Sequence, residues 1–253
     1  MKKIISRDDL IYVAGHNGMV GSSIIKNLKS KGYRNLIFAE KEQLDLRNIQ
    51  KVKNWFALKK PDVVIIAAAK VGGILANQRM PTEFIFDNLK IQINLIETAW
   101  KYNVKRLLFL GSSCIYPKFS KQPIKEDYLL SGYLEETNES YAIAKIAGIK
   151  MCESYNFQYG TNYKCIMPCN TYGPNDNFNL ITSHFYPALI MKMLHAKKRK
   201  KRSIEIWGNG KAKRELLYVD DLADACIYFM NKNSPNLINI GTGKDKTILN
   251  YAN

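Results

Sequence analysis

Apolar residues along this chain fall into two kinds of segment that take turns. Residues 10–14, 36–39, 63–66 and 107–110 are short runs with no polar interruption, the pattern of parallel strands covered on both faces. Between them apolar positions recur three and four residues apart, as in Ile24, Ile25 and Leu28 and again in Val52, Trp55, Phe56 and Leu58, which predicts helices. Residues 82–102 are apolar on more than one face (Phe84, Ile85, Leu89, Ile93, Leu95, Ile96, Trp100). A helix buried all round has the sheet on one side and a second subunit on the other, so a homodimer is expected. Further on, residues 163–168, 204–207, 214–219 and 237–240 read as strands. Helices are expected through Pro187, Leu189, Met191 and Leu194, from a cap at Asp220 or Asp221 to about Met230, and after a cap at Thr247. Strands and helices alternating in this way predict an α/β protein with a doubly wound parallel sheet. The last helix is cut six residues past its cap, so the second half reads as incomplete.

Ligands of open parallel sheets bind beyond the carboxyl ends of the strands, so the residues that follow each strand matter most. The first strand runs into Gly15-His16-Asn17-Gly18-Met19-Val20-Gly21 and then a helix. Gly15 permits the tight turn, Gly18 lets backbone approach a pyrophosphate, and Gly21 lets the helix pack close on the strand. The helix N-terminus adds unpaired N–H groups for the phosphates, so a dinucleotide site is expected. The second strand ends at Glu40-Lys41. An acid there would accept from the ribose 2′-OH of NAD, and a cation would favour the 2′-phosphate of NADP; the residues leave both open. The third strand ends in the small residues 67–73, where backbone can approach a ligand or pack on a helix.

The fourth strand stops at Gly111 and presents Ser112, Ser113 and Cys114 before Tyr116-Pro117. After a polar loop over residues 118–138, Tyr141 and Lys145 stand four apart, on one helix face. An ammonium near a phenol favours the phenolate, so the tyrosine is expected to exchange a proton with a carbonyl or alcohol near neutral pH. Tyr228 and Lys232 repeat the spacing far from any glycine turn and are read as surface structure. Strand 163–168 leads into Cys169-Asn170-Thr171 on the same rim, and His184 stands near the start of the next helix. A cofactor lobe is expected over residues 8–170. A smaller lobe would occupy 171–253, with some of its segments returning to the sheet.

Composition narrows the classes. At 253 residues, 46% apolar and 24% charged, the chain can bury a sizeable core. No apolar run is long enough to span a bilayer, and the basic start at Met1-Lys2-Lys3 lacks the apolar stretch of a signal peptide. Five cysteines without a Cys-x-x-Cys pair and three histidines without ligand spacing suggest no disulfide framework and no metal site, and they fit a cytoplasmic protein. The net charge of +16 includes one run, residues 197–202, that supplies six cations. No aromatic residue interleaves with that run, which argues against a nucleic-acid partner.

Taken together, these residues resemble the extended short-chain dehydrogenase/reductases, through Gly-x-x-Gly-x-x-Gly after the first strand, Ser112, and Tyr141-x-x-x-Lys145. Residues 14–21, 67–73, 111–117, 141–150 and 172–174 are similar to members that epimerise GDP-4-keto-6-deoxy-mannose at C3 and C5 and then reduce C4 with NADPH. That resemblance covers essentially the whole chain. It implies that Tyr141 protonates the C4 oxygen, that Lys145 holds the cofactor ribose and tunes Tyr141, and that Ser112 binds the same oxygen. Cys114 and His184 match the epimerisation acid and base, and Lys192, Trp207 and Arg214 match nucleotide-sugar contacts. Cofactor contacts are implied at Gly15, His16, Asn17, Gly18, Met19, Val20, Gly21 and Lys41. Others are Leu110, Gly111, Ser112 and Ser113 at the fourth strand, then Lys145, Pro168, Cys169, Asn170, Thr171 and His184. Ser113-Cys114 stands where related dehydratases carry an Asp-Glu pair, which argues against dehydration. Asn17 and Lys41 replace arginines that commonly serve the 2′-phosphate, Lys192 replaces another, and the family's C-terminal segment is absent. Two other readings stay open: an NAD-recycling nucleotide-sugar 4-epimerase, kept by Glu40, and a catalytically silent dinucleotide-binding module, kept by the short C-terminus.

Overall fold

The computed structural model describes residues 4–253, and the basic start Met1 to Lys3 lies outside them. Strands β1 (Ile11–Ala14), β2 (Leu36–Ile37), β3 (Val63–Ile66), β4 (Arg106–Leu110) and β5 (Tyr163–Pro168) lie parallel. Two later strands, β6 (Asn170–Tyr172) and β7 (Lys213–Tyr218), leave this sheet, and β8 (Leu237–Ile240) returns to it beside β5. The order is β2-β1-β3-β4-β5-β8, so the chain steps outward from β1 to β2 and then crosses back to β3. That reversal leaves a crevice above β1 and β3, the place where such sheets bind ligands.

Alternation within the apolar strands decides which helices cover them. Tyr12, Ala14, Val64, Ile66, Leu107 and Phe109 face helices α2 (Ile49–Lys59), α4 (Pro81–Lys101) and α5 (Glu139–Tyr159). Their neighbours Ile11, Val13, Val63, Ile65 and Leu108 face α1 (Met19–Ser30) and α7 (Val219–Met230). Each such side chain, fully buried, contributes about 1.5–3 kcal/mol, which is why the pattern had to be apolar on both faces. The doubly wound sheet is as the sequence predicts. Three further helices complete the chain: α3 (Ile74–Arg79), α6 (Phe185–Lys198) and α8 (Ile248–Ala252). As expected, Thr247 caps α8, its hydroxyl accepting from Asn250 N at 3.1 Å.

Four details differ from the expectations. The second strand stops at Ile37, because the Phe38 ring leaves the ladder to stack on His16. Residues 204–207 form no strand: no sheet edge lies beside them, and the Glu205 carbonyl instead accepts from Lys192 Nζ at 3.0 Å. Neither Asp220 nor Asp221 caps α7, which already begins at Val219; Asp220 accepts from Ser23 Oγ at 2.6 Å and Lys26 Nζ at 2.7 Å instead. Finally, two polar segments that carry no strand pattern pair with β7: β6 runs parallel to it, and β9 (Asp245–Thr247) antiparallel. Helix α4 covers the sheet on one side as expected, and on its other side Phe86 and Ile93 are 53% and 41% exposed within the single chain.

Candidate active site

Strands β1, β3, β4 and β5 all end at one rim, and the residues just beyond them line a cleft of about 860 Å³. Gly15 to Gly21 follow β1, Ala67 to Gly72 follow β3, Gly111 to Ser113 follow β4, and Cys169 to Thr171 follow β5. The size suits a drug- to cofactor-sized ligand.

The glycine turn is fixed by close backbone contacts. Gly15 has φ +86°, and a Cβ on it would fall 2.6 Å from Ala68 N. A Cβ at Gly21 would fall 2.1 Å from Gly15 O, so only glycine lets α1 start this near β1. Gly18 is different: nothing crowds it below 3.5 Å, it caps α1 without a side-chain hydrogen bond, and it faces the cleft. A dinucleotide pyrophosphate fits here, with open space over Gly18 and the unspent N–H groups of the first turn of α1 aimed at it. Every residue the sequence assigned to cofactor binding lines this cleft, from Gly15 through Lys41, Leu110, Ser113 and Pro168 to His184.

Beyond β4 the chain turns into a short 3-10 segment, Ser113–Ile115, whose start is held by Ser112 Oγ accepting from Cys114 N at 3.5 Å. The Ser112 hydroxyl neighbours both the Cys114 thiol and the Tyr141 phenol. Cys114 is half-buried behind Ser112 and is not itself part of the cleft wall. Burial pushes its thiol up to about 11, against the smaller pull of Ser112, so it is protonated at neutral pH. Tyr141 stands near the start of α5 with its ring edge-on to Phe84, the centroids 6.2 Å apart.

Lys145 is buried and donates from Nζ to the Leu110 carbonyl at 2.7 Å. Burial lowers its ammonium to about 8. The expectation that this lysine depresses the Tyr141 pKa is corrected: burial holds the phenol well above the ordinary tyrosine range, with Ser112 only partly offsetting it. The reason is geometric, since the ammonium is spent on Leu110 and lies 5.7 Å from the Tyr141 ring centre. Tyr141 is therefore a proton donor at rest.

His184 caps α6 and opens onto the cleft. The walls around it desolvate the imidazole and hold it below the ordinary histidine range, despite Asp176 nearby. Its position rests on a contact absent from the sequence reading: Gly73 N donates to Thr182 O at 2.9 Å, and a Cβ on Gly73 would fall 2.2 Å from Ser183 O. The small residues after β3 thus hold the His184 loop. A second group without local signal is Arg47, clamped by Asp45 at 2.8 Å and Asp87 at 3.3 Å at the cleft wall. The three nucleotide-sugar candidates lie apart from the cleft wall. Lys192 Nζ sits 5.1 Å over the exposed Trp207 ring, and Arg214 on β7 donates to Lys213 O at 2.7 Å. Among the described residues no cluster of metal-ligating side chains occurs.

Comparison with known proteins agrees with this geometry. The NAD dependent epimerase/dehydratase family matches residues 11–241. GDP-L-fucose synthase 1 of Arabidopsis thaliana is 50% identical over 243 residues, 96% of this chain and 75% of that protein. GDP-L-fucose synthase of Escherichia coli K12 is 48% identical over 252 residues, 96% of this chain and 78% of that protein. The crystal structure of a GDP-L-fucose synthetase from Naegleria fowleri bound to NADP superposes with a TM-score of 0.89 at 28% identity, covering 100% of this chain and 84% of that one. The chain belongs to the NAD dependent epimerase/dehydratase family and is similar to GDP-L-fucose synthases along nearly its whole length.

Proposed function

We propose that the chain epimerises GDP-4-keto-6-deoxy-mannose at C3 and C5 and reduces C4 with NADPH, giving GDP-L-fucose. One observation carries the reading: Ser112, Tyr141, Lys145 and His184 converge on the wall of a single cleft that also contains the glycine turn. The near-50% identity to GDP-L-fucose synthases favours this over the NAD-recycling 4-epimerase and the silent module.

The chemistry follows from the protonation states. A 4-keto group acidifies the hydrogens at C3 and C5, so epimerisation needs one group to take a proton and another to return one on the opposite face. These roles fall to His184, uncharged at neutral pH on the cleft wall, and to Cys114, a protonated thiol lying directly behind Ser112 of that wall. NADPH, when bound, supplies the hydride to C4. Tyr141 holds the proton that the C4 oxygen needs, and Ser112 beside it donates a hydrogen bond to the same oxygen. Lys145, tied to the end of β4, holds the ribose. Lys192 and Arg214 meet the diphosphate and Trp207 stacks on the base, from a smaller lobe spanning residues 171–253 beside a cofactor lobe of 8–170.

The exposed Phe86 and Ile93 of α4 and Ile143 of α5 support a homodimer built on these two helices. Sedimentation velocity should give a dimer for the wild type and a monomer for Ile93→Lys. No described helix is long and apolar enough to cross a membrane. A cytoplasmic setting agrees with five cysteines that stand free. The deciding experiment incubates the chain with GDP-4-keto-6-deoxy-mannose and NADPH in deuterated water. Stoichiometric NADPH oxidation with deuterium at C3 and C5 of the product is expected. Interconversion without net oxidation would instead identify a 4-epimerase.

A further inference from the structure

At the far end of the cleft from Tyr141, three side chains make a contact that neither the glycine turn nor the sheet requires. Glu40 Oε2 accepts from Asn17 Nδ2 at 2.7 Å, and Glu40 Oε1 lies 3.2 Å from His16 Nε2. His16 is fixed in turn, its ring stacked on Phe38 with centroids 4.7 Å apart and planes 21° apart. The Asn17 and His16 contacts hold the Glu40 carboxyl below the usual carboxylate range. All three side chains line the cleft beside Gly15 and Gly18, on the side away from Ser112. In a strand–glycine turn–helix site, an acid about twenty residues past the glycines accepts a hydrogen bond from the adenosine ribose 2′-OH. A 2′-phosphate at that place needs a cation.

The cleft's cations are mostly engaged elsewhere. Arg47 is paired with Asp45 and Asp87, Lys70 with Glu83, and Lys145 with the Leu110 carbonyl. Among the described residues, Lys41 is the one cleft-lining cation whose side chain has no such partner, and it is exposed. Both charges are exposed, Glu40 with 56% of its side chain accessible, so water screens each alike; Glu40 differs in being held at one position by two partners, whereas Lys41 is free to swing.

We propose that Glu40, latched by Asn17 and His16, is the cofactor discriminator of this chain: it accepts from the ribose hydroxyl of NADH, opposes the 2′-phosphate of NADPH, and so gives the chain comparable affinity for both. Asn17 and His16 are positioning residues, because they act through Glu40. The inference rests on the dinucleotide reading of the cleft given above.

Equilibrium titration with NADH and NADPH separately, followed by calorimetry on the full chain, tests it without any substrate. Wild type should bind the two dinucleotides within about tenfold of one another. Glu40→Gln, which keeps the size and removes the charge, should shift the ratio toward NADPH by about tenfold. Asn17→Ala frees the carboxylate to swing away and should shift the ratio the same way by about threefold, with an unchanged melting temperature. Lys41→Ala should move it in the opposite direction. If both dinucleotides bind and Glu40→Gln leaves their ratio unaltered, Glu40 is not the discriminator. If neither binds the wild type, the dinucleotide reading of the cleft fails as well.

Discussion

Two regions of the molecule, the six-stranded sheet and the segment from α6 to β7, hold their polar side chains by different means. Around the sheet, each reactive residue is fixed by buried structure: Lys145 by the Leu110 carbonyl, Tyr141 by Phe84, Ser112 by the backbone of Cys114. In the α6–β7 segment, Lys192, Trp207 and Arg214 sit at the surface and are held by one ring contact and two backbone carbonyls. Chemistry needs sub-ångström placement and gets it from packed strands, whereas recognition of a flexible diphosphate tolerates mobile cations. Substitutions around the sheet should therefore cost turnover, and those in the α6–β7 segment should cost affinity.

Tyr141→Phe gives the largest contrast. Loss of the hydroxyl assigned to protonate the C4 oxygen, with Ser112 left only to hydrogen-bond it, should lower kcat for reduction by about 10³-fold, with NADPH affinity by titration unchanged. A comparable loss of NADPH affinity would place Tyr141 with the cofactor instead. Next comes Cys114→Ser, where a weaker acid of similar size should slow deuterium exchange at C3 and C5 on the order of 10²-fold while leaving C4 reduction of an already epimerised substrate intact. Because burial lowers the His184 pKa, wild-type exchange should persist below the ordinary histidine range and fall only once the imidazole protonates.

Gly73→Ala tests the contact between the residues after β3 and those just before α6. The added methyl must displace Ser183 O, so exchange should drop about tenfold through misplaced His184 while dinucleotide affinity holds. Lys192→Ala should have the smallest effect: KM for the GDP-sugar raised several-fold, about 1 kcal/mol, at constant kcat and melting temperature. A fall in kcat as large as that of Cys114→Ser would break the contrast between the two regions.

Which parts could be read from the residues follows from where their contacts lie. Strands β1, β3 and β4 were legible because burial on both faces demands apolar runs, β5 was legible from its mostly apolar residues despite Lys164, and the candidate site residues at their ends were legible by position. The strands β6 and β9 are polar and owe their pairing to β7, so no pattern of their own announces them. Residues 204–207 carry a strand-like sequence but have no edge to join. The same holds in the site. The glycine turn, Tyr141 and Lys145 are local in sequence, whereas the Gly73 contact with Ser183 and the Asp45–Arg47–Asp87 clamp join distant residues and leave no periodic trace. The lysine–tyrosine spacing was read correctly as one helix face, but its electrostatic consequence depends on Leu110, which spacing does not encode.

The return of β8 to the sheet governs the order in which this protein can assemble during synthesis. Cys165 to Pro168 pair with Leu237 to Ile240, so this edge of the six-stranded sheet stays open until residues 237–240 have left the ribosome. An unpaired parallel edge is a template for other chains, and closing it requires a contact between residues far apart in sequence, which is slow. Helix α7 docks on α1 just before β8 arrives, which brings the missing strand to its place. A fragment ending before residue 237 would keep the glycine turn and every reactive residue named above, yet it would expose β5 and be prone to aggregate rather than to bind.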